Sequence, residues 1–327
     1  MTRRFKQSCL LICFLLAWGG LVEPARGGLE ALPVYQQITG GTEEYLVKKG
    51  DRLPRIALMT GVPRRVLARQ NNLTQKHRLR PGMTLTITNT RILPAEIDHG
   101  LIINIPEMRL YHFDQGVFKR HYALAVGKRT WETPTGDFEI INKVRNPTWL
   151  VPPSIQREME ESGQMVLTSV PPGPKNPLGP FWMATSAPGV GIHATPRPWT
   201  VGRSVSHGCI RMLVEEIGEL FEQVEVGTPV KIIYQPFKIA VTPDHRVYLE
   251  VHSDIYRKGI DPISGVENLL KTYQLGSLVD WKRVYEVIRD REGIAVEITK
   301  LPPDTTVVGQ NVPLGKKKTP VSNLPGS

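Results

Sequence analysis

The chain has 327 residues, 40% of them hydrophobic, with a formal net charge of +10 at pH 7 and three cysteines. This length predicts two or three domains, and so few cysteines exclude a small scaffold held together by disulfides. The positive charge favours an anionic partner such as a cell-wall polymer, but no nucleic-acid partner is expected, because no basic stripe with interleaved aromatic residues and no nucleic-acid motif is present.

Residues 1–27 have the pattern of a secretory signal. Three basic residues precede an apolar run over residues 9–22, and Ala25 and Gly27 stand in positions typical of a cleavage site. The apolar run is shorter than the roughly 20 residues of a membrane span, so we expect cleavage rather than a retained anchor. Cleavage would remove four basic residues and one acidic residue, leaving a net charge of +7. The mature protein is then expected in the periplasm or cell envelope, without a transmembrane span.

Residues 43–88 carry a β-α-α-β pattern. A strand around Tyr45 leads through a Gly-Asp turn to two short helices, and a Pro-Gly turn precedes a strand over residues 84–87. The motif Y-x-V-x-x-G-D-x-L-x-x-I-A, followed by L-x-P-G, resembles LysM, a module that binds N-acetylglucosamine-containing polymers. The resemblance implies glycan binding. The alternative is a unit that only packs against the next domain, because a fold does not by itself confer a site.

Residues 99–235 are predicted to form a sheet-rich domain. Apolar runs broken by turns fill residues 99–145, and residues 190–194 and 229–234 predict further strands. The segments NPTWLVPPSI and PPGPKNPLGPFWMAT are predicted to be ordered loops, whose large side chains need burial. One helix is predicted from apolar residues that share a face: Leu213, Ile217, Leu220, Phe221 and Val224.

The remaining chain divides into two parts. Residues 236–299 predict a small α+β appendage, with a hairpin, a helix within residues 277–293 and a closing strand. Residues 300–327 are rich in Pro, Gly, Thr and Lys and are predicted to be disordered. The fold class is therefore predicted as mostly β with α.

The stretch SVSHGCIRM contains Cys209, the only cysteine that remains if the signal is removed. A cysteine reacts as the thiolate and has a free pKa of about 8.5, so a nucleophilic cysteine needs a base or a positive charge nearby. His193 and His207 are candidate bases, Arg211 adds a fixed charge, and the following helix would direct its N-terminus toward the thiol. Cysteine beside histidine is typical of nucleophilic acyl transfer.

Two other interpretations of this stretch remain open. Cysteine is often a small buried hydrophobic residue, although the flanking S-H-G and I-R do not resemble a core pattern. Zinc binding by His193, His207 and Cys209, in a zinc hydrolase, is the second, although the ligand spacing of structural zinc sites is absent.

The motifs H-A-T at residues 193–195 and S-H-G-C-I-R-M at residues 206–212 resemble the signature of the L,D-transpeptidase catalytic domain, of the YkuD or ErfK type. Upstream, T-P-T-G-D-F, N-P-T-W and P-G-P-K-N-P-L-G resemble the flanking motifs of Gram-negative members. The resemblance covers residues 99–235 and implies a β-sandwich-like mixed sheet that holds the site in a groove. Members often have Gly or Ser after the first histidine, where this chain has Ala194.

The resemblance implies an enzyme that acts on peptidoglycan stems without a cofactor or metal. Cys209 would attack the carbonyl between the third residue of a tetrapeptide, a diamino acid, and the terminal D-Ala. His193 would take the thiol proton and later give it to the departing amine. His207 and Gly208, with the Cys209 amide, would form the oxyanion hole. Arg211 would help to position the substrate or the loop, and Ser206 would support the site by a hydrogen bond.

The resemblance leaves the acceptor open. Attack by a second diamino acid would give a 3-3 cross-link, attack by a lysine would attach an outer-membrane lipoprotein, and attack by water would make the enzyme an L,D-carboxypeptidase. A different class of function is a non-catalytic peptidoglycan-binding protein, which would use only the LysM-like module and the basic charge.

Overall fold

Secondary structure is described for residues 33–94 and 97–300 in a computed structural model of the chain. The predicted signal over residues 1–27, with its two cysteines, lies outside the described residues, as does the predicted tail beyond residue 300. Within the described ranges, no helix is long and apolar enough to cross a membrane.

The first described elements include a small βααβ unit. They are β1 (Val34–Tyr35), β2 (Ile38–Thr39), β3 (Thr42–Leu46), α1 (Leu53–Thr60), α2 (Arg64–Gln70), β4 (Thr84–Thr88) and β5 (Arg91–Ile92). Strands β3 and β4 pair antiparallel, and the helices contribute Leu53, Ile56 and Val66 to the core of the unit. Helix α1 is followed by Gly61, whose φ of +75° suits glycine. The βααβ order predicted from the sequence is confirmed.

The central part of the chain contains a large mixed sheet, together with helices and short two-stranded sheets. Its elements are β6 (Gly100–Asn104), β7 (Arg109–Asp114), β8 (Val117–Ala123), β9 (Val126–Gly127), β10 (Gly136–Arg145), β11 (Trp149–Leu150), α3 (Pro153–Glu161), β12 (Ser169–Val170), β13 (Phe181–Thr185), β14 (Gly191–Ala194), β15 (Ser204–Ser206), β16 (Ile210–Met212), α4 (Val214–Gln223) and β17 (Pro229–Ile233). Eight strands pair in the order β16-β14-β13-β10-β17-β6-β7-β8. The pairs β14–β16 and β17–β6 are parallel, and the other neighbours are antiparallel. The predicted fold class, mostly β with α, is confirmed.

The C-terminal elements pack against the N-terminal ones. They are β18 (Phe237–Val241), β19 (Val247–Val251), α5 (Pro262–Thr272), α6 (Trp281–Asp290) and β20 (Val296–Glu297). Strand β1 pairs in parallel with β18, in a sheet of order β1-β18-β19-β20. Ile294 joins the core of the βααβ unit, and the Arg65 guanidinium donates to the Asp290 carbonyl over 3.0 Å. The C-terminal appendage therefore contacts the N-terminal βααβ unit. The boundaries between domains remain a prediction.

A buried ion cluster fixes the β18–β19 hairpin. Lys238 Nζ lies 2.7 Å from Glu107 Oε1 and 3.4 Å from Glu250 Oε1, and all three side chains are fully buried. Glu250 also contacts His252 Nε2 over 2.7 Å. Because a buried charge is tolerated only when it is paired, this cluster ties the hairpin to the turn between β6 and β7.

Some local structure differs from the sequence prediction. Helix α3 begins at Pro153, in a segment predicted as loop, because proline suits the first turn of a helix and helix-forming residues follow it. Helix α5 was missed although Asp261 caps it by accepting two backbone N–H groups. Aromatic residues that were predicted to need burial are only half-buried: Trp149, Phe181 and Trp182.

Candidate active site

Cys209 directly precedes strand β16 at the edge of the large sheet. Strand β14 pairs in parallel with β16, so that His193 lies beside Arg211. Side chains two residues apart along a strand point to the same face. Cys209, His193 and Arg211, which the sequence analysis assigned to one site, therefore share one face of the sheet.

The thiol of Cys209 is half-buried beside the turn that leads into β14. Its Sγ lies 3.5 Å from the carbonyl oxygen of Gly189. Burial raises the pKa of the Cys209 thiol, and the Gly191 N–H and the Arg211 charge only partly oppose that shift. At neutral pH the resting group is therefore a thiol rather than a thiolate.

The imidazole of His193 is buried and held by its own strand. Its Nδ1 lies 2.7 Å from the carbonyl oxygen of Ala194, and because a carbonyl only accepts, Nδ1 carries the proton in this bond. Burial lowers the pKa of His193 to about 4, against the opposing effect of the Ala194 and Leu178 carbonyls. His193 is therefore neutral at pH 7, with Nε2 able to accept a proton.

The partner of Nδ1 explains why Ala194 is compatible with this site. Since the bond uses a backbone oxygen, any residue at this position supplies it. The departure from Gly or Ser noted in the sequence does not remove the group that orients the ring.

In the described parts of the chain, residues 33–94 and 97–300, no hydrogen bond joins His193 to Cys209. Catalytic hydrogen bonds are often long without substrate, so this geometry does not exclude proton transfer. The predicted help from the helix N-terminus does not arise, because strand β16 separates Cys209 from α4 by about 10 Å of extended chain. A helix dipole acts mainly within its first turn.

The backbone of the loop before Cys209 is held from two sides. Gly208 has φ of +104°, which favours glycine, and its carbonyl oxygen accepts a 2.8 Å hydrogen bond from Thr133 Oγ1. The Ser206 hydroxyl donates to the carbonyl oxygen of Cys209. Ser206 and Thr133 thus both hold the backbone of the loop that contains Gly208 and Cys209.

The side chain of His207 makes its hydrogen bonds away from Cys209. Its Nε2 lies 2.5 Å from Glu158 Oε2 on α3 and 3.2 Å from Lys128 Nζ, and Trp131 contacts the ring edge-on at 5.0 Å. Lys128 also contacts Glu158 over 3.0 Å. An oxyanion role for His207 would therefore use its backbone rather than its imidazole.

Sequence analysis missed several residues around the site. Thr133 lies within the T-P-T-G-D-F motif, but nothing in the motif indicates that its hydroxyl reaches Gly208. The Thr133 N–H donates over 3.1 Å to the hydroxyl of Tyr256, which belongs to the C-terminal appendage. Glu158 was missed because its helix, which begins inside a segment predicted as loop, was not predicted.

The zinc interpretation would require His193, His207 and Cys209 to form a compact set of ligands, and they do not. Among the described residues, Glu107, Glu250 and His252 are the only three whose ligand atoms lie within 4.8 Å of one another. The Lys238 ammonium already contacts both carboxylates of that group, so a second cation there would be repelled. The site at Cys209 therefore has the donor atoms of a thiol–imidazole pair rather than of a zinc centre.

Comparisons with known proteins match two families. The L,D-transpeptidase catalytic domain (YkuD) matches residues 98–232, and the LysM domain matches residues 45–88. The probable L,D-transpeptidase ErfK/SrfK of Salmonella typhimurium is 33% identical over 226 residues, which cover 67% of this chain and 73% of that protein. The probable L,D-transpeptidase YcfS of Escherichia coli is 29% identical over 292 residues, covering 86% of this chain and 91% of that protein.

A solved structure is similar over a smaller part of the chain. The Ldtfm–avibactam carbamoyl enzyme is 24% identical with a TM-score of 0.33. The match covers 43% of this chain, and the chain spans about half, 51%, of the length of that protein.

Proposed function

The chain belongs to the L,D-transpeptidase family, and we propose that it is an exported enzyme whose Cys209 acts as a nucleophile on peptidoglycan tetrapeptide stems. The observation that carries the proposal is that a free cysteine directly precedes β16, the strand that pairs in parallel with the strand of the buried His193. The substrate is carried over from the family resemblance, and the LysM domain supports a peptidoglycan target.

The first half-reaction is acylation of Cys209. Sγ attacks the carbonyl carbon between the third residue and D-Ala, and the thiol proton moves to Nε2 of His193. When the tetrahedral intermediate collapses, the C–N bond breaks and His193 gives the proton to the departing amine of D-Ala. The product is a thioester, so one difficult displacement is divided into two easier steps.

The protonation states favour general-base catalysis over a resting ion pair. The pKa of Cys209 is raised and the pKa of His193 is lowered, both mainly by burial, so both groups are neutral before substrate binds. Proton transfer then accompanies attack of the sulfur. The bond from Nδ1 to the Ala194 carbonyl keeps Nε2 as the basic nitrogen throughout.

The backbone around Gly208 supplies the oxyanion site. A peptide unit is planar and trans, so the N–H of Cys209 points opposite to the Gly208 carbonyl. Since that carbonyl is fixed by Thr133, the N–H is directed away from Thr133, where it can donate to the developing oxyanion. The N–H groups of His207 and Gly208 are further candidate donors.

The second half-reaction depends on the acceptor. An amine attacks the thioester and restores the thiol: a diamino acid of a neighbouring stem gives a 3-3 cross-link, and a lipoprotein lysine gives attachment to the wall. Water would give carboxypeptidase activity instead. The LysM domain would hold the glycan strand near the site, and the signal over residues 1–27 would deliver the enzyme to the cell envelope.

Mass spectrometry tests the proposal directly. The mature protein is incubated with disaccharide-tetrapeptide, and D-Ala release and the acyl-enzyme mass are followed together. We expect release by the native protein and neither signal with Cys209→Ala. Equal D-Ala release by the variant would contradict a cysteine nucleophile, and binding to sacculi without any release would favour a non-catalytic wall-binding protein.

A further inference from the structure

A cationic pocket of about 440 Å³ is lined in part by Arg211, which lies two residues after Cys209. Its walls come from the proline-rich loop around Lys175, from the segment after β14 that contains Thr195 and Arg197, and from Arg211 of β16. Trp199 forms part of the rim and is 64% exposed. The proline-rich segments on either side restrict the backbone, so the pocket is formed largely in advance.

The charges around this pocket have one sign. Lys175, Arg197 and Arg211 line it, and no acidic side chain among the described residues does so. None of the three makes an ion pair with another described residue, although charged side chains elsewhere on the surface do. The Nε of Arg211 is buried without a hydrogen-bond partner in the same part of the chain.

In the free protein, these neighbouring positive charges repel one another. Burial of Arg211, and after it the charge of Arg197, lower the pKa of Arg211, because a nearby cation repels the guanidinium charge. A carboxylate would relieve this repulsion and supply the missing acceptor, and guanidinium groups bind carboxylates with strong, directional hydrogen bonds. The pocket thus favours an anionic ligand.

The position of the pocket indicates which part of the substrate it would contact. Arg211 lies two residues after Cys209, about 7 Å along the strand, and Thr195 lies two residues after His193. A group in the pocket is therefore within one residue of the carbonyl that the thiol attacks.

We infer that this pocket binds a carboxylate of the donor stem and selects stems in which that carboxylate is free. The inference rests on the proposed function. Two carboxylates of a tetrapeptide lie within one residue of the scissile bond: the side-chain carboxylate of a diaminopimelate-type third residue and the C-terminal carboxylate of D-Ala. Their chemistry is the same, and amidation of one or the other distinguishes them.

The test uses three disaccharide-tetrapeptides: the natural acid, the side-chain carboxamide and the C-terminal carboxamide. Binding of each to the Cys209→Ala protein is measured by calorimetry, and D-Ala or D-Ala-amide release is measured with the native thiol. We expect amidation of one position to weaken binding at least about tenfold, the scale of a lost hydrogen bond to a charged group. That position identifies the carboxylate in the pocket.

Substitutions in the pocket test whether its cations are responsible for the preference for a free carboxylate. Arg197→Gln and Lys175→Gln remove exposed charges, so neither is expected to disturb folding. Each should weaken binding of the acid and reduce the preference for acid over carboxamide, whereas Arg203→Gln, an exposed arginine outside the pocket lining, should change neither. Equal binding of all three donors, or unchanged preference in Arg197→Gln and Lys175→Gln, would overturn the inference.

The two readouts separate this inference from the proposed function. Selective binding by Cys209→Ala without any D-Ala release from the native protein would support the pocket and contradict the enzyme. Release from all three donors at one rate, with equal binding, would support the enzyme and contradict the pocket.

Discussion

The hydroxyl of Thr133 donates a 2.8 Å hydrogen bond to the carbonyl oxygen of Gly208, the residue before Cys209. The same hydroxyl accepts from the Gly127 N–H over 2.9 Å, and Thr133 is buried. The backbone N–H of Thr133 donates to Tyr256, so the C-terminal appendage is linked to the loop before Cys209 through this one residue. This chain of contacts gives the appendage a position from which it supports the site.

We expect Thr133→Val to slow acylation while leaving the thiol reactive. Without the hydroxyl, the Gly208–Cys209 peptide is free to rotate, and its N–H no longer meets the oxyanion. Removal of an oxyanion donor costs about 10²–10³ in rate, so a misdirected donor should cost up to about 10²-fold. Single-turnover acylation by a tetrapeptide measures the effect.

Alkylation by iodoacetamide provides the matched control, because this reaction uses the same sulfur and develops no oxyanion. Thr133→Val should alkylate at the native rate, and Thr133→Ser should restore acylation since it keeps the hydroxyl. A parallel loss of both reactions would mean that the substitution damages the loop as a whole.

The pH dependence of alkylation should show a thiol that ionises late. Because burial raises the pKa of Cys209, the thiolate fraction at pH 7 is smaller than for a free cysteine with a pKa of about 8.5. The rate should rise with pH and reach half its maximum above that value, with N-acetylcysteine measured alongside. A plateau already reached at pH 6 would indicate a resting thiolate–imidazolium pair instead.

The buried ion cluster predicts a large effect on stability. Lys238→Met leaves Glu107 and Glu250 buried beside each other without their ammonium partner. Removal of one member of a buried pair typically costs about 3–5 kcal/mol, and we expect the free energy of unfolding in urea to fall by that amount.

Lys119→Met is the control for this experiment, since it removes the same charge from a largely exposed pair with Asp114. Its effect should be much smaller, because exposed pairs are solvated and screened. Similar losses for the two lysines would contradict a special role for the buried cluster.

Local patterns predicted the βααβ module, the main strands and helix α4, because their apolar residues repeat with a regular period. They also brought Cys209 and His193 into one hypothesis, since both lie in short motifs. Contacts between distant segments carry no such signal. Tyr256 lies 123 residues from Thr133, and the burial that raises or lowers a pKa depends on the whole fold.

The contacts of Ala194 were likewise not predictable from the sequence. A sequence shows the side chain at each position, and here it shows only that Ala194 stands where family members often have Gly or Ser. The structure shows that a backbone oxygen orients the imidazole, which no side-chain pattern reveals.

This arrangement predicts different outcomes at two adjacent positions. Ala194→Gly keeps the carbonyl that accepts from Nδ1, so the variant should retain most of its acylation rate while losing at least about 0.5–1 kcal/mol of stability from glycine in a strand. His193→Gln removes the proton acceptor and should lose about 10²–10⁴ in rate. Both are measured by acyl-enzyme formation under single turnover, with folding checked by circular dichroism. If Ala194→Gly lost as much activity as His193→Gln while remaining folded, the ring would depend on the side chain at 194, and orientation of His193 by the backbone carbonyl would be wrong.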